Sequence, residues 1–333
     1  MTRLKRKKEV TNPTEKTTQS DVRFGTPELV AKYRADRLVP GHDTVIEIGA
    51  GAGFQTAAFA KTAKKVIAVD VDEERLSRAT FPDNVVAIAG DALDPKIIAK
   101  IKKEVIGTAV VFLDPERPAS STRRTIEEIS PNPNAFLEAY KEITEDIAIE
   151  LPPFLNESEI PKRVEREYLS VDGQLNRLTI YTGALAKSTI SVVRLPDAER
   201  VEHTGHQPPM REDLDPKTAR YILEPDAALA HAALEALVLP AHYRRIPLGR
   251  KTLFLASKAP TTKWFRSYKI VAQGQDDAIR RALLKRPPAA VILHGALEPK
   301  QQRELLASYK PLCHGEGRLH LFWGRTRYLT TRE

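Results

Sequence analysis

The sequence has little cysteine and no long apolar run, and each absence excludes a class of protein. It has 333 residues but a single cysteine, Cys313, so an internal disulfide and a thiolate-rich zinc site are both excluded. No stretch approaches the roughly 18 consecutive apolar residues of a membrane span. The opening residues, MTRLKRKKEVTNPTEKTTQSD, lack the apolar core of a signal peptide. We therefore expect a cytoplasmic protein with no membrane partner.

Metal ligands are also sparse. His203 and His206 form one small group, and Cys313 and His314 form another. These groups are too few and too separate to predict a metal site. We expect them to be linker and loop residues, and we expect no bound metal.

Positive charge exceeds negative charge. The chain has 52 Lys and Arg against 44 Asp and Glu, a formal net charge of +8, and its pI is near 9.4. This balance favours an acidic partner, of which nucleic acid is the commonest, although scattered solvated lysines produce the same pI. Nucleic acid is therefore a candidate partner on charge alone.

The first residues differ in character from those that follow. Residues 1–21 are polar, basic at the start and without periodicity, which predicts a disordered tail, with a phosphate-contacting arm as the alternative. After Thr26 and Pro27, the segment LVAKYRADRL has apolar residues at helical spacing. A helix with Pro27 in its first turn is therefore predicted.

Short apolar runs then alternate with helix-compatible segments. The runs TVIEIGAGAGF, KKVIAVDVD, NVVAIAGDAL and TAVVFLDPERP predict parallel strands buried on both faces, with helices packed outside. DIAIELPPFL predicts a fifth strand. EREYLSVDG and LNRLTIYTG, joined at Asp172 and Gly173, predict an antiparallel hairpin at one edge of the sheet, which STISVVRLP extends or partly replaces.

A second domain is predicted after a polar, proline-rich segment, VEHTGHQPPMREDLDP. We place the boundary near residue 205, with one domain over 22–204 and another over 205–333. In the second domain, TARYILEPDAALAHAALEALV predicts a long helix. KTLFLAS, YKIVAQ, AAVILHG and LHLFWG predict strands, with helices at DDAIRRALLKR and KQQRELLASYK. These elements predict a smaller α/β domain.

A glycine loop follows the first predicted strand. Gly49, Gly51 and Gly53 allow the backbone to turn sharply and to approach a ligand. The GxGxG spacing alone does not identify the ligand. It differs from the GxGxxG spacing that brings a helix dipole to a pyrophosphate.

Acidic residues at the strand ends indicate the class of ligand. Glu47 precedes the glycine loop, where its charge would repel a pyrophosphate and attract a cation. Asp70 lies about 20 residues past the loop, where a carboxylate can accept hydrogen bonds from both ribose hydroxyls, and Asp91 ends the third strand. S-adenosylmethionine combines a sulfonium, an ammonium, a ribose diol and an adenine. We assign Glu47 to its methionine region, Asp70 to its ribose and Asp91 to the adenine amino group.

The fourth strand ends in a candidate reaction centre. VVFLDPERP places Asp114 at the carboxyl end of the strand, where open α/β sheets bind ligands. Pro115 and Pro118 bracket Glu116 and Arg117 and restrict this loop. Methyl transfer to an exocyclic amine needs an oxygen that orients the amine and receives the departing proton. Asp114, or a carbonyl of this loop, is the candidate.

These motifs resemble a known enzyme family. FGTPELVAKYRADRL followed by VIEIGAGAGF resembles class I S-adenosylmethionine methyltransferases of the RNA cap guanine-N2 type. VFLDPERP, the downstream PNP and EREYLSVDGQLNRLTIYTGAL are similar to a prokaryotic subset with a C-terminal THUMP-like domain, and the likeness covers most of residues 22–333. The resemblance implies a Rossmann-like class I methyltransferase sheet and S-adenosylmethionine as cofactor. The predicted cofactor-binding residues are Thr26, Glu47, Gly49, Gly51, Gly53, Asp70 and Asp91, and the predicted catalytic residues are Asp114, Pro115, Glu116 and Arg117.

One departure from the family pattern affects the expected chemistry. Amino-directed methyltransferases of this type have a second proline and then a stacking aromatic where this chain has Glu116 and Arg117. The guanidinium of Arg117 can still stack on a base. Methylation of a ring nitrogen, with Glu116 or Asp114 as base, is therefore the alternative to guanosine N2.

The resemblance also implies an RNA partner, since THUMP domains are RNA-binding modules. Arg123 and Arg124 can contact phosphates beside the active loop, or they are solvated helix residues. Two basic segments of the second domain, YRRIPLGRK and KWFRSYK, suit phosphate contact, and the second interleaves aromatics that suit base stacking. The alternative for KWFRSYK is a partly buried aromatic strand.

The expected function is methylation of a base in tRNA or rRNA, with guanosine N2 as the leading acceptor. A catalytically silent protein that binds cofactor and RNA is the alternative from another class. A methyltransferase for protein or small molecules is a third reading, which predicts no salt-dependent affinity for RNA.

Overall fold

The computed structural model of the chain describes residues 9–11, 13–115, 125–205, 209–249 and 251–332. The chain divides into two compact units, Met1–Gly205 and His206–Glu333.

The first unit alternates strands and helices through its first two thirds. It begins with helices α1 (Gln19–Phe24) and α2 (Glu28–Leu38). The elements that follow are β1 (Thr44–Ile48), α3 (Phe54–Ala60), β2 (Lys65–Asp70), α4 (Glu73–Ser77), β3 (Val85–Ala89), α5 (Pro95–Glu104), β4 (Ala109–Leu113), α6 (Pro133–Tyr140) and β5 (Ile147–Leu151). Four further strands are β6 (Glu165–Val171), β7 (Gln174–Tyr181), β8 (Ile190–Leu195) and β9 (Glu199–His203).

These strands form one sheet in the order β3-β2-β1-β4-β5-β7-β6-β8-β9. Strands β1 to β5 pair in parallel, which confirms the predicted sheet. Every residue of β1 and β4 is buried, as their continuous apolar runs predict for strands covered on both faces. The strand order reverses between β1 and β4, and at such a reversal the loops that follow the strands leave a crevice for ligands.

The predicted hairpin forms but does not lie at an edge. Asp172 and Gly173 both have positive φ, 52° and 77°, the conformation of a tight two-residue hairpin turn between β6 and β7. Strand β8 then pairs in parallel with β6, and β9 pairs antiparallel with β8. The segment STISVVRLP therefore extends the sheet. The buried strand β6 would otherwise expose a row of unpaired backbone groups.

Part of the expected tail is ordered. Helix α1 begins after Thr18, whose hydroxyl accepts a hydrogen bond from the Asp21 N–H, while the Asp21 carboxylate accepts from the Thr18 N–H. The hydroxyl of Thr14 donates to the carbonyl of Arg78 at 2.9 Å, and Arg78 pairs with Asp21 at 3.1 Å. Polar caps and ion pairs hold this segment, so apolar periodicity does not reveal it.

Helix α2 and the core beneath it match the prediction. The helix begins at Glu28, one residue after Pro27. Its apolar face packs on α3 and the sheet in a core cluster that includes Ala31, Leu38, Phe59 and Phe112.

The second unit is a smaller α/β fold with a seven-stranded sheet in the order β11-β12-β10-β13-β16-β15-β14. Its strands are β10 (Tyr221–Pro225), β11 (Tyr243–Leu248), β12 (Lys251–Ala256), β13 (Phe265–Gly274), β14 (Ala290–His294), β15 (Arg318–Trp323) and β16 (Arg327–Arg332). Its helices are α7 (Ala227–His231), α8 (Asp276–Lys285) and α9 (Pro299–Tyr309). The four predicted strands and the two later helices are confirmed.

The predicted long helix in this unit is wrong. Its first part is the strand β10, where Ile222 and Leu223 are buried between β12 and β13. Helix α7 starts only after Pro225, with Asp226 as its cap, and it has five residues. Tertiary pairing on both sides of β10 outweighs the helical spacing of its apolar residues.

Candidate active site

The glycine loop follows β1 in a conformation that favours glycine. Gly49, Gly51 and Gly53 have φ values of 82°, 54° and 79°, in the left-handed region that other residues rarely adopt. A Cβ on Gly49 would lie 2.4 Å from the backbone oxygen of Asp114. The N–H of Asp114 also donates to the carbonyl of Ile48 at 3.0 Å. The missing side chain of Gly49 therefore lets the ends of β1 and β4 meet.

Asp70 is fixed against this loop. One of its carboxylate oxygens accepts from the N–H of Gly51 at 2.6 Å, and the other accepts from the N–H of Asp72 at 2.9 Å. The residue is buried. A carboxylate has about four acceptor positions, so each oxygen can accept a further hydrogen bond from a ligand.

Glu47 is a buried carboxyl group near the carboxyl end of β1. It is 1% exposed, and its Oε2 accepts from the hydroxyl of Thr56 at 2.6 Å. Burial raises the pKa of Glu47 to about 8 against the opposing effects of Thr56 and Arg34, and the negative charges of Asp114 and Asp70 raise it further. Three carboxyl groups from three neighbouring strand ends therefore influence one another electrostatically.

An ion-pair cluster that sequence reasoning missed lies beside these carboxyl groups. The guanidinium of Arg177 donates to both carboxylate oxygens of Glu150, at 2.6 and 2.5 Å. Arg34 pairs with the same carboxylate and also donates to Oε1 of Gln55 at 2.8 Å. Burial alone would raise the pKa of Glu150, but the two guanidinium groups outweigh it and hold this pKa below its usual value.

This cluster influences both predicted carboxylates. The charge of Arg34 acts on Glu47, and the charge of Asp114, together with Glu150, raises the pKa of Arg177 although burial opposes this. One signal was present in the sequence. Arg34 falls on the buried face of α2, with Val30 and Leu38, and a cation at such a position needs a buried partner.

The other predicted residues lie around this centre with fewer contacts. Asp91 is exposed, and its Oδ1 accepts from the N–H of Leu93 at 2.8 Å. The preceding N–H, of Gly90, donates to the carbonyl of Asp70 at 2.9 Å, which brings the ends of β2 and β3 together. Thr26 is buried before α2 and makes no hydrogen bond to the glycine loop among the described residues.

The loop after Asp114 is described only at its start. Pro115 is half-buried and directly follows Asp114. Glu116 and Arg117, the other two predicted catalytic residues, lie outside the described residues, as do Arg123 and Arg124.

Exposed apolar side chains lie near these elements, and sequence reasoning missed two of them, Val71 and Phe154. Val71 directly follows Asp70 and is 74% exposed, and Phe154 follows β5 and is 54% exposed. Phe24, in the segment before α2, is 75% exposed. Large apolar groups at a ligand-binding edge offer flat surfaces to a planar ligand.

In the second unit, of the two interpretations of KWFRSYK, the aromatic stacking surface is wrong and the buried aromatic strand is confirmed. Trp264, Phe265 and Tyr268 are all buried, at 1%, 6% and 3% exposure, so KWFRSYK is a buried aromatic strand. In YRRIPLGRK, Arg244 donates to the carbonyl of Leu214 at 2.7 Å, and Lys251 pairs with Glu224 at 2.5 Å. Both segments serve this unit's own packing.

Neither a metal-binding cluster nor a membrane-spanning helix is found in the described ranges. Within them, no group of three or more His, Cys, Asp or Glu side chains is placed to hold a metal ion. No helix there has both the length and the apolar character to cross a membrane.

Comparison with known proteins shows local sequence likeness. No family model matches the chain. It is 50% identical over 68 residues to the "Probable ribosomal RNA small subunit methyltransferase A" of Pyrobaculum aerophilum, which covers 20% of this chain and 29% of the relative. It is 33% identical over 104 residues to the "Ribosomal RNA large subunit methyltransferase E" of Methanothermobacter thermautotrophicus, 31% of this chain and 47% of the relative. The chain thus spans less than half the length of these curated relatives.

Comparison of structures covers nearly the whole chain. A crystal structure from Porphyromonas gingivalis W83, described as a "putative methyltransferase", superposes with a TM-score of 0.70 at 14% identity, over 95% of this chain and 82% of that one. At this identity the likeness concerns the fold. The shared fold is an α/β fold with a Rossmann-like parallel sheet, as predicted from the sequence.

Proposed function

We propose that this protein is an S-adenosylmethionine-dependent RNA methyltransferase that modifies a base of rRNA or tRNA. The observation that carries the proposal is the glycine loop after β1, with the carboxyl groups of Glu47, Asp70 and Asp114 at three neighbouring strand ends. Carboxyl groups beside such a loop favour a cationic ligand and disfavour a pyrophosphate. The names of the curated relatives support rRNA as the substrate class.

The residues present fit this cofactor. Glu47 would attract the cationic methionine end, and the remaining acceptor positions of Asp70 suit a ribose diol. Asp91 would accept from the adenine amino group, and the exposed side chain of Val71 would cover the adenine ring. The glycine loop and Thr26 would border the cofactor. When bound, S-adenosylmethionine supplies an electrophilic methyl group on a sulfonium.

Asp114 is the proposed proton acceptor. A carboxylate oxygen of Asp114 would accept a hydrogen bond from the acceptor amine, orient its lone pair and take its proton. The charges of Arg177 and Asp114 interact, so a guanidinium lies near the proposed proton acceptor. Pro115 would hold the carboxylate in place, and we retain Glu116 and Arg117 as proposed contacts to the base.

Phe154 is our candidate for the stacking aromatic that is absent after β4. Leu113 of β4 pairs with Ile149 of β5, so the loops after these two strands begin side by side. Phe154 is exposed on the second of these loops. An exposed ring beside a reaction centre can hold an unstacked base at a cost in affinity of about 1–3 kcal/mol when it is removed.

We propose guanosine N2 as the acceptor, in line with the resemblance to the RNA cap guanine-N2 methyltransferases, and a ring nitrogen as the alternative. We also propose that residues 22–204 act as the catalytic domain, and that residues 205–333 act as a THUMP-like RNA-binding domain. We also propose that the protein acts in the cytoplasm.

The test is methyl transfer followed by identification of the product. The purified full chain is incubated with radiolabelled S-adenosylmethionine and unmodified bulk rRNA and tRNA, and the RNA is then digested to nucleosides. Label in N2-methylguanosine supports the proposal as stated, and label in a ring-methylated base moves the acceptor to the alternative. If the protein binds the cofactor but no RNA is labelled, the hypothesis of an RNA methyltransferase is contradicted. That result would favour a catalytically silent binding protein or a methyltransferase with a substrate other than RNA.

A further inference from the structure

The second unit contains an open groove with a basic lining. The groove has a volume of about 380 Å³ and lies where β10 begins and β12 ends, beside the middle of β13. Its charged lining residues are Arg220, Lys258 and Lys269, and Tyr221 and Ser257 add hydroxyl groups. All of its lining residues belong to the described part of the chain, and none of them is acidic. We call this feature the basic groove.

The three cations of the basic groove are available to a ligand. Arg220, Lys258 and Lys269 are exposed, and none has an ion-pair partner among the residues that the structure describes. Other cations of this unit differ, since Arg245 pairs with Glu212 at 3.2 Å and Lys251 with Glu224 at 2.5 Å. Unpaired like charges that line one concavity create a local positive potential.

The backbone holds these cations across three neighbouring strands. The N–H of Arg220 donates to the carbonyl of Ala256 at 2.9 Å, and the carbonyl of Arg220 accepts from the N–H of Ile270 at 2.8 Å. Arg220 is thereby fixed between the strand that leads into Lys258 and the strand that carries Lys269. Two strand spacings amount to about 10 Å, the axial length of about three phosphates of one stacked nucleic-acid strand.

The shape and lining of the groove favour a polymer over a small molecule. Pockets for small molecules are mostly apolar and enclose their ligand. The basic groove is open, and Ala259 and Ile270 are its only aliphatic lining residues. Long cationic side chains with hydroxyl groups beside them suit successive backbone phosphates, which are contacted from outside.

We propose that the basic groove binds the phosphate backbone of the RNA substrate through Arg220, Lys258 and Lys269. The inference rests on the proposed function for the nature of the polymer. It assigns RNA contact in the second unit to the basic groove instead of to the aromatic side chains of KWFRSYK, which are buried.

The test compares two triple variants of the full chain with equal changes in charge. The groove variant carries Arg220→Gln, Lys258→Gln and Lys269→Gln. The matched control carries Arg281→Gln, Lys285→Gln and Arg303→Gln, at exposed positions of α8 and α9 that also have no ion-pair partner among the described residues. Because all six side chains are exposed, both variants should fold, which thermal unfolding checks. Affinity for a mixed-sequence 30-nucleotide RNA is measured by fluorescence anisotropy from 50 to 400 mM salt.

We expect the groove variant to bind RNA about 50-fold more weakly at 0.15 M salt, with a salt slope smaller by about 2, because each lost phosphate contact removes about 0.7 from the slope for a single strand. The control should change affinity less than about threefold. Equal losses in the two variants would overturn the proposal, since the effect would then be one of general charge. Loss of ATP or pyrophosphate binding with unchanged RNA affinity would also overturn it in favour of a small phosphate ligand.

Methyl transfer by the wild-type protein is measured in parallel, which separates this inference from the proposed function. If RNA affinity depends on the groove but no methyl transfer occurs, the proposed function is contradicted and the RNA-binding role of the basic groove is supported. If methyl transfer occurs but the groove and control variants bind RNA equally well, the role of the basic groove is contradicted and the proposed function is supported.

Discussion

The two units of this protein differ in the exposure and the pairing of the charged side chains at their candidate sites. In the first unit the main charged groups of the candidate site are buried or half-buried and have partners, as Glu47 with Thr56 and Glu150 with Arg34 and Arg177. In the second unit the three cations of the basic groove are exposed and, within the described residues, have no ion-pair partner. The difference suits two tasks, because chemistry needs atoms at fixed positions whereas a polyanion needs only attraction along its length.

Burial also determines how each region responds to salt. Exposed charges are screened over about 8 Å at physiological ionic strength, but buried groups are screened much less. We therefore expect RNA affinity to fall steeply with salt and cofactor affinity to change little. Substitutions and changes of pH can test this contrast. The candidate site has charged groups with partners, whereas the basic groove has exposed cations without ion-pair partners among the described residues.

The largest effect is expected at Asp114. Asp114→Asn removes the proposed proton acceptor, and general base catalysis contributes about 10²–10⁴-fold to rate. We expect kcat to fall by at least about 100-fold while the Kd for S-adenosylmethionine stays within about threefold, as measured by single-turnover methylation and calorimetry. Asp83→Asn, at an exposed acid of the same unit, is the matched control and should leave both quantities unchanged. Full activity of Asp114→Asn would move the proton acceptor elsewhere.

Glu150 should matter chiefly for stability. Glu150→Gln leaves the buried Arg34 and the half-buried Arg177 without their shared counter-charge, and we expect a loss of about 3 kcal/mol, the lower end of the range for a buried ion pair that loses one partner. Urea unfolding followed by circular dichroism measures this loss. In the control Glu142→Gln, an exposed pair with Lys102 is broken, and no measurable change is expected. Equal effects of the two substitutions would show that burial does not distinguish them.

The contrast between the units also explains which features could be predicted from the sequence. The five parallel strands and the strand-end positions of Glu47, Asp70 and Asp114 follow from local patterns. Each pattern is an apolar run that ends in Gly or Asp, and it is complete within about ten consecutive residues. The ion pairs of Glu150 are different. Arg34 lies 116 positions before Glu150 and Arg177 lies 27 positions after it. Composition and residue spacing do not predict contacts between residues so far apart in the sequence.

Two errors had local causes. Residues 13–21 lack apolar periodicity, and yet capping by Thr18 and contacts with Arg78 order much of this stretch. Tyr268 and its aromatic neighbours alternate with cations as in a nucleic-acid surface, but they are buried, and Tyr268 packs in a core cluster with Leu255 and Phe322. Residue type does not indicate which face of a strand is covered, and only the tertiary structure decides this.

Substitutions of Asp70 and Asp91 compare how much a buried and an exposed carboxylate contribute to cofactor affinity. Asp70→Asn replaces a buried carboxylate whose charge-assisted hydrogen bonds to a ligand are worth about 1.5–3 kcal/mol each. We expect S-adenosylmethionine to bind about 10- to 100-fold more weakly by calorimetry. Asp91→Asn, at an exposed acid, should weaken binding less than about fivefold. A larger loss for Asp91→Asn would reverse the proposed ranking of the two contacts.

The pKa of Glu47 predicts the smallest effect, a dependence of cofactor binding on pH. Because this pKa is raised to about 8, about one tenth of the carboxyl is ionised at pH 7 and about nine tenths at pH 9. A cationic ligand binds the ionised form, so affinity should gain about tenfold from this group between these pH values. Calorimetry of Glu47→Gln at both pH values isolates the carboxyl from the titration of the ligand's own ammonium. Identical pH profiles for the two proteins would contradict this role.

The most direct test of the central claim is a crystal structure of the full chain grown with S-adenosylmethionine. The account predicts cofactor density at the carboxyl ends of β1, β2 and β4, with the ribose on Asp70, the methionine end beside Glu47 and the methyl group directed toward Asp114. Cofactor bound at another place, or no cofactor bound at millimolar concentration, would contradict it.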